Sequence, residues 1–282
     1  MARNKLPMIK RVFVALFITA IACSAKAQYY YNDIVNNKTV LAELAALKAK
    51  KIKGVRVLSL ESNGEQTEGF TCQKKINRDF TQVEIYTSTE QSYPNTFISY
   101  FDKAGMLQKT VDSSEAGATT TDYRYDGSGR LTAVTSSKHF ADDDAGSSNE
   151  QHIYQYNNDG ILQQMWLIKN NRDSIRYAFD ADEAGNIIVE KNEKTAELYY
   201  YYYDLKKRLT DVVHSYNQQK KLFPEFTFEY NPEGQVTRMV TTEKEGAYYF
   251  TWRYAYEDGL RMNERCYSKE GHLLGSVEYQ YK

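Results

Sequence analysis

The chain has 282 residues, with 36 basic and 37 acidic side chains and a formal net charge of −1 at neutral pH. A balance this even gives no electrostatic basis for binding nucleic acid or an anionic membrane surface. The length suits one large domain, and 25 tyrosines with only 4 prolines favour strands that have one dry and one wet face.

Residues 1–27 have the pattern of an export signal. A basic start is followed by an apolar segment at 12–22 and by a small-x-small cleavage site, Ala25-Lys26-Ala27, before Gln28. The apolar segment is about 11 residues long, whereas about 20 are needed to span a bilayer. We therefore expect export to the periplasm or the cell exterior, with no transmembrane segment in the mature chain. A lipid anchor on Cys23 is the alternative.

Residues 28–99 predict one helix followed by strands that cap the remainder of the chain. The helix is expected at about 38–51, with Asn37 or Thr39 as its N-cap and an apolar face that includes Leu41 and Leu44. We expect that face to cover part of a sheet or to plug one end of it, and docking to a partner is the alternative.

From residue 100 to 282 a β-hairpin pattern recurs. Residues 123–131, YRYDGSGRL, contain two alternating aromatics, a four-residue turn and the start of a return strand, and related copies follow at intervals of 23 to 31 residues. Asp or Asn stands first in the turn, where its side chain caps the backbone, and Gly stands fourth, where φ is positive. The predicted structural turn residues are Asp102, Gly105, Asp126, Gly129, Asn157, Gly160, Asn231 and Gly234.

Some copies depart from this pattern. Gly185 follows Asp180 two residues late, which predicts a longer turn, and Lys207 stands where glycine is expected. The longest interval contains 136–150, which predicts an irregular loop. The acidic cluster in that loop has no calcium-ligand spacing and is expected to be solvated; it comprises Asp142, Asp143 and Asp144.

The pattern as a whole predicts an all-β protein, in which tandem antiparallel β-hairpin repeats form one curved or coiled sheet with a short N-terminal helix. We expect about sixteen strands, and because strand twist accumulates over that many, the sheet should coil or partly close. The expected organisation is a signal peptide at 1–27, a helix and capping strands at 28–99, and the repeat array at 100–282.

The Y-x-Y-D-x-x-G-R-L pattern of residues 123–131 resembles the YD repeats of RHS proteins, a bacterial family related to the animal teneurins. The match is strong there and partial in the other copies across 100–282. The resemblance implies a spiralling sheet of hairpins and an association with carbohydrate or cell-surface partners. It implies a short, exported form, because the toxin domain and the self-cleaving core segment of the long members are not found in this sequence.

Two aromatic blocks are the candidate binding surface. Rings in the run 199–203 alternate between the two faces of a strand, and a second block occupies 248–256. Such rings either fill the interior and pair across strands, or face outward and stack on sugar rings or on an extended peptide. The candidates are Tyr199, Tyr200, Tyr201, Tyr202, Tyr248, Trp252 and Tyr254.

No motif indicates an enzyme, a metal site or a cofactor, although a carboxylate pair at glycosidase distance stays open. After removal of the signal, Cys72 and Cys266 remain. In an oxidising compartment they could form a disulfide, which would bring the capping strands against the last repeat. Two buried free thiols are the alternative.

We therefore expect an exported cell-envelope binding or scaffold protein that recognises a glycan or an envelope protein through an aromatic-rich β surface. The alternative is a structural component, or a companion or inhibitor of another exported protein, with no small-molecule ligand. A binding module should expose a contiguous aromatic patch or a groove, whereas a structural component should bury its rings.

Overall fold

The computed structural model describes residues 28–282, except 91, 143–145, 217–220 and 244–246. The expected signal peptide with Cys23, and the loop residues Asp143 and Asp144, lie outside the described residues. Within the described chain a π-helical turn at Tyr30–Val35 leads into helix α1 at Asn36–Ala49, and strands form the remainder.

Eighteen strands follow α1. They are β1 (Gly54–Glu61), β2 (Thr71–Ile76), β3 (Gln82–Thr89), β4 (Ser92–Phe101), β5 (Leu107–Ser114), β6 (Gly117–Tyr125), β7 (Leu131–Phe140), β8 (Ser147–Tyr156), β9 (Leu162–Lys169), β10 (Asp173–Ala181), β11 (Ile187–Asn192), β12 (Leu198–Tyr203), β13 (Leu209–Tyr216), β14 (Lys221–Tyr230), β15 (Val236–Glu243), β16 (Tyr248–Glu257), β17 (Leu260–Tyr267) and β18 (Leu273–Tyr281).

The strands close into one barrel. Each strand pairs antiparallel with its neighbours in sequence, and the last strand pairs with the first, with Val55 opposite Tyr281 and Glu61 opposite Gly275. The expected all-β hairpin array is confirmed, but the expectation of a curved or coiled sheet is wrong, because the wall closes on itself. Closure pairs the edge strands that an open sheet would expose to other chains.

The expected turns lie at one end of the barrel, each between an even-numbered strand and the next odd-numbered one. At 126–129, one carboxylate oxygen of Asp126 accepts hydrogen bonds from the backbone N–H groups of Ser128 and Arg130, and Gly129 has φ of +76°. Three other first-position side chains accept the equivalent bond from the N–H group four residues on, namely Asp102, Asn157 and Asn231. The glycines of those turns, Gly105, Gly160 and Gly234, also have positive φ.

Two turns differ from expectation. Strand β10 continues past Asp180, and Asp182 takes the capping position, accepting a 2.8 Å hydrogen bond from the N–H of Asn186. The turn therefore comprises residues 182–185, with Gly185 in the fourth position at φ of +81°. Its length of four residues equals that of the other turns. In the turn at 204–207, Lys207 adopts the left-handed φ of +60° that glycine has elsewhere.

The segment 136–150 is mostly strand, so the expectation of an irregular loop there is wrong. Strand β7 continues to Phe140 and β8 begins at Ser147, with the two strands paired from Ala133–Ile153 to His139–Ser147. Alternating Ser, Thr and Gln side chains make this hairpin polar, but its ladder of backbone hydrogen bonds is regular. The exposed Asp142 lies in the short connection between the strands.

A phenol-to-carbonyl contact joins successive hairpins. A tyrosine at or next to the end of an even-numbered strand donates its O–H to a backbone carbonyl at the start of the preceding odd-numbered strand. The acceptor is the first residue of that strand in four pairs and the second residue in the pair with Arg261. The five pairs are Tyr156 with Leu131, Tyr203 with Ile187, Tyr230 with Leu209, Tyr256 with Val236, and Tyr281 with Arg261. These bonds give the recurring tyrosine a structural role in the wall.

The expected helix is present, but its N-terminus differs from the expected cap. Val35 is the N-cap, and no side chain caps the helix, because the preceding π-helical turn already continues the backbone spiral. Asn37 instead donates a 2.8 Å hydrogen bond to the Tyr125 hydroxyl, and Thr39 donates to the Val35 carbonyl. No helix in the described residues is long and apolar enough to cross a membrane.

Cys72 and Cys266 are free and buried, which is the alternative that the sequence left open beside a disulfide. They lie on β2 and β17, which are separated in the wall by β1 and β18. Three inter-strand spacings amount to about 14 Å, whereas the Cα atoms of a disulfide are usually less than about 7 Å apart. Strand β1 does pair with β18, but both of these strands lie between the two thiols, which are therefore too far apart to bond.

Candidate functional site

The N-terminal segment 28–49 lies inside the barrel. Its side chains contact strands around the wall: the Tyr29 ring meets the Tyr177 ring of β10 at 4.8 Å, and the Tyr31 ring meets the Phe226 ring of β14 at 4.9 Å. Farther along, Leu44 of α1 packs in the buried cluster formed with β1–β5 and β18. Since these strands surround the segment, it occupies part of the lumen, whereas Lys38, Thr39 and Lys48 of α1 stay exposed.

Glu190 anchors the start of this segment. Its carboxylate accepts hydrogen bonds from the backbone N–H groups of Tyr29 and Tyr30, at 3.0 and 3.1 Å, and from the Tyr201 hydroxyl at 2.6 Å. The side chain is 0% exposed, and burial raises its pKa to about 7 against the opposing effect of these three donors. Because the protein itself supplies the hydrogen-bond partners of this carboxylate, we interpret Glu190 as a structural anchor of the segment.

Asp33 makes a second anchor to the wall. Its carboxylate lies 2.5 Å from Nδ1 of His152 and accepts a 2.5 Å hydrogen bond from the Tyr154 hydroxyl. His152 Nε2 lies 2.9 Å from Glu150. Burial alone would lower the pKa of His152, but Asp33 and Glu150 outweigh it and raise that pKa to about 9. The imidazolium therefore joins the segment to β8 at neutral pH.

A third buried cluster surrounds His214 on β13. Its Nε2 is 2.6 Å from Glu197 and its Nδ1 is 3.1 Å from Glu225, while its ring stacks on the Tyr199 ring at 4.4 Å. Burial opposes the charge, but the two carboxylates raise the pKa of His214 to about 9. Among the described residues no group of three or more His, Cys, Asp or Glu side chains is arranged to hold a metal ion.

The aromatic candidates do not form one surface. Tyr199, Tyr201 and Trp252 are at most 2% exposed and face the lumen, and Tyr254 packs against the same core. Tyr200 is half-buried. Only Tyr202 and Tyr248 are well exposed, at 49% and 56%, and they lie on β12 and β16 with three strands between them. The outer wall therefore has no contiguous ladder built from these seven rings.

A groove on the outer wall is the candidate site that the structure offers instead. It runs over β5 to β8, and its polar lining includes Lys109, Asp122, Arg124, Thr135 and Gln151. Lys109 and Asp122 are directly opposite each other in the wall, and their charged groups lie 3.5 Å apart. These side chains provide donors and acceptors on a surface that water reaches.

The floor of the groove is less polar than its sides. Ala133 and Ile153 lie opposite each other on β7 and β8, and Ala133 also faces Arg124. On the next strand, β9, Trp166 lies directly opposite Ile153 on the same side of the wall. A small alanine between longer side chains leaves the wall locally concave.

The sequence predicted that strands here would alternate between inward and outward side chains, but the groove residues were not identified. An outward position is readable from alternation, as for Arg124 between Tyr123 and Tyr125. Which outward positions share a concave patch depends on strand register, and register was not predicted. Trp166 was also missed, although a tryptophan among glutamines, QQMWLIK, is a readable signal.

Comparisons with known proteins give weak similarities. A porin-like protein from Bacteroides uniformis matches at 11% identity and TM-score 0.40, over 82% of this chain and 98% of that one. A porin-like protein from Bacteroides vulgatus matches at 8% identity and TM-score 0.27, over 80% and 97%. The TcdB2–TccC3 complex matches at 12% identity and TM-score 0.29, over 84% of this chain but 17% of that one. No protein-family model and no curated protein matches the sequence.

The assignment of this chain to the RHS and YD-repeat proteins is wrong. Among the described residues the hairpins close into an 18-stranded barrel, whereas the assignment implied a spiralling sheet. The misleading motif has a local cause: an Asx cap and a left-handed glycine are what any tight four-residue turn of this geometry requires. The chain is therefore described by its fold, a closed antiparallel barrel with its own N-terminal segment packed against the inner wall.

Proposed function

We propose that this chain is an exported binding protein of the cell envelope that uses the outer wall of its barrel, and that the groove over β5 to β8 holds an extended polar chain, namely a glycan. The observation that carries this proposal is the groove itself, with Lys109, Asp122 and Arg124 above a floor of Ala133 and Ile153. Sugar rings present hydroxyl groups at their rims and C–H groups on their faces, so a polar rim over an apolar floor fits them.

The N-terminal segment inside the barrel supports the outer wall as the surface that binds the ligand. Residues 28–49 and the inward aromatic rings occupy the interior, and Glu190, Asp33 and Asn37 tie that segment to the wall. If residues 28–35 left the lumen, Glu190 and His152 would lose the partners that these residues supply.

The chemistry of the outer wall supports an aqueous surrounding. Arginines occupy outward positions within strands at Arg56, Arg124, Arg176, Arg253 and Arg265. In contact with the middle of a lipid bilayer, each would cost about 2–4 kcal/mol. Together with the export signal expected at 1–27, this supports the periplasm or the cell exterior as the place of action, with a lipid anchor at Cys23 as the alternative.

A second candidate function is a structural component or a companion of another exported protein, without a small-molecule ligand. The burial of Tyr199, Tyr201 and Trp252 favours it, because rings that fill the interior are unavailable for recognition. In that case the groove would be an incidental concavity of the wall.

Filling the groove tests the proposal. Ala133→Trp places a large ring on the groove floor, and Ala178→Trp makes the same change at an outward position of β10, away from the groove. The mature protein and both variants would be applied to a panel of immobilised bacterial and plant polysaccharides, with melting temperature as the check on folding.

Binding that is lost in Ala133→Trp and kept in Ala178→Trp is the expected result. No binding by the wild-type protein to any polysaccharide would overturn the glycan proposal and leave the structural alternative. Equal binding by the two variants would show that the groove is not the site.

A further inference from the structure

Three arginines stand side by side on the outer wall, away from the groove. Arg238 on β15 lies directly opposite Arg253 on β16, and Arg253 lies directly opposite Arg265 on β17. The chain neighbours Trp252 and Cys266 are buried toward the lumen, so the arginines face outward. Since directly opposed Cβ atoms are about 5 Å apart, the three side chains leave the wall along a line of about 10 Å.

Like charges directly opposite each other destabilise a sheet, and the wall only partly neutralises this row. Arg238 pairs with Glu229 on β14 at 2.5 Å, and the Arg253 guanidinium lies 5.3 Å from the centre of the Tyr267 ring. Across the part of the chain that the structure describes, no carboxylate forms an ion pair with Arg253 or Arg265, and both are exposed. Their planar N–H donors are therefore directed at solvent.

The surroundings of the row indicate what it can bind. A guanidinium pairs with a carboxylate or sulfate through two parallel hydrogen bonds, which makes arginine better suited than lysine to such groups. Ser276 continues the row on β18, directly opposite Arg265, and adds a hydroxyl group. The Tyr267 ring beside Arg253 offers an aromatic surface of the kind that packs on a sugar ring.

The shape of the row favours a chain over a single small ion. The cations form a line across three neighbouring strands of the outer wall. A linear polymer with an acidic group on successive units can contact the arginines one after another.

We propose that Arg238, Arg253 and Arg265, with Tyr267, bind a linear anionic glycan that carries sulfate or carboxylate groups. This surface lies on β15 to β17, on strands other than those of the groove, and its ligand is defined by charge. It thus goes beyond the proposed function and does not depend on the groove.

The test compares two double variants that each remove two positive charges. Arg253→Ser with Arg265→Ser disrupts the row, whereas Arg56→Ser with Lys191→Ser removes exposed outward charges on β1 and β11. The probe is fluorescent dextran sulfate at low ionic strength, with uncharged dextran of equal length as the ligand control. We expect the row variant to bind dextran sulfate at least about tenfold more weakly than wild type, because charged hydrogen bonds are lost.

Two further variants and one further ligand test the proposal. Ala133→Trp should bind dextran sulfate as wild type does, which separates this surface from the groove. If the row variant is unstable, Arg253→Lys with Arg265→Lys keeps the charge and should still weaken binding, because lysine lacks the two-pronged geometry. Equal loss in the two charge-removing variants, or tighter binding to an oligothymidine of matched charge than to dextran sulfate, would overturn the proposal.

Discussion

The hydroxyl of Tyr156 donates a 2.8 Å hydrogen bond to the backbone carbonyl of Leu131, which begins the strand beside it in the wall. Arg130, which precedes Leu131, lies over the ring of Tyr156 and pairs with Asp126 in its own turn. A single tyrosine thus joins a turn, an ion pair and the neighbouring strand. The recurring tyrosine of the sequence motif makes the same kind of bond in other hairpins.

Removing the Tyr156 hydroxyl should weaken the wall. Tyr156→Phe keeps the ring and loses the bond to the Leu131 carbonyl, so we expect the free energy of unfolding to fall by about 1 kcal/mol. Tyr202→Phe is the matched control, because Tyr202 is exposed. Urea unfolding followed by fluorescence gives both values, and equal stabilities of the two variants would contradict the role assigned to the phenol.

The turn at 126–129 provides a test of backbone strain. A side chain at Gly129 would meet no atom within 4 Å, but φ is +76°, so Gly129→Val should destabilise the protein by more than about 1 kcal/mol. Gly127 is equally open and has no positive φ, so Gly127→Val should cost less. Melting temperatures that fall equally in both would mean that the strain argument fails.

The same argument predicts a stabilising change at Lys207. This residue has φ of +60° in a turn where the other copies have glycine. Lys207→Gly should remove strain of about 1 kcal/mol and raise the melting temperature. A lower melting temperature for this variant would show that the turn prefers the lysine.

Stability should decrease as the pH rises from 5 to 8, in part through Glu190. Burial raises the folded-state pKa of Glu190 to about 7, above its ordinary value of about 4.5. Because the folded protein binds this proton more tightly, protonated Glu190 contributes its full stabilisation below the unfolded-state pKa. This stabilisation, up to roughly 3 kcal/mol, is lost as the pH rises past the folded-state pKa. His152, with a pKa of about 9, adds a loss between about 6.5 and 9.

Glu190→Gln isolates the first effect. The amide of the variant faces donors and adds a constant cost, so the prediction concerns the pH dependence alone: between pH 5 and 8 the unfolding free energy of wild type should fall more steeply than that of the variant. Parallel curves would mean that Glu190 does not change its protonation on unfolding in this range.

The N-terminal segment should contribute to the stability of the whole barrel. Tyr31→Ala removes a ring that contacts Phe226 and Phe228, so we expect a loss of about 2 kcal/mol or more. Tyr248→Ala removes a ring that is 56% exposed and should cost much less. Chemical denaturation of both variants checks the difference, and a Tyr31 variant as stable as wild type would place the segment outside the wall.

Sequence predicted the features that are local in the chain. The cap of Asp126 and the positive φ of Gly129 act within four residues, so the hairpin turns could be read from residue types alone. The helix at 36–49 was also within reach, because Leu44 and Leu47 fall on one helical face. Asp180 was assigned the wrong position because two acidic residues compete for the cap, and only the length of β10 decides between them.

The features that sequence did not predict join distant residues. Asp33 and His152 are 119 positions apart, and the β1–β18 seam joins the two ends of the strand series. No local preference encodes such contacts. The candidate site depends on them as well: Lys109 of β5 comes to face Asp122 of β6 only because these two neighbouring strands adopt a particular register.

The seam between β1 and β18 determines when the barrel can be completed. Strand β1 is the first strand of the described series to be synthesised, whereas its partner Tyr281 lies in the last, β18. Until β18 is available, the edge of β1 that pairs with it has no partner and stays open to other molecules. Folding of this chain is thus completed only after synthesis of its last strand, and a product truncated before β18 would have lasting sites for aggregation.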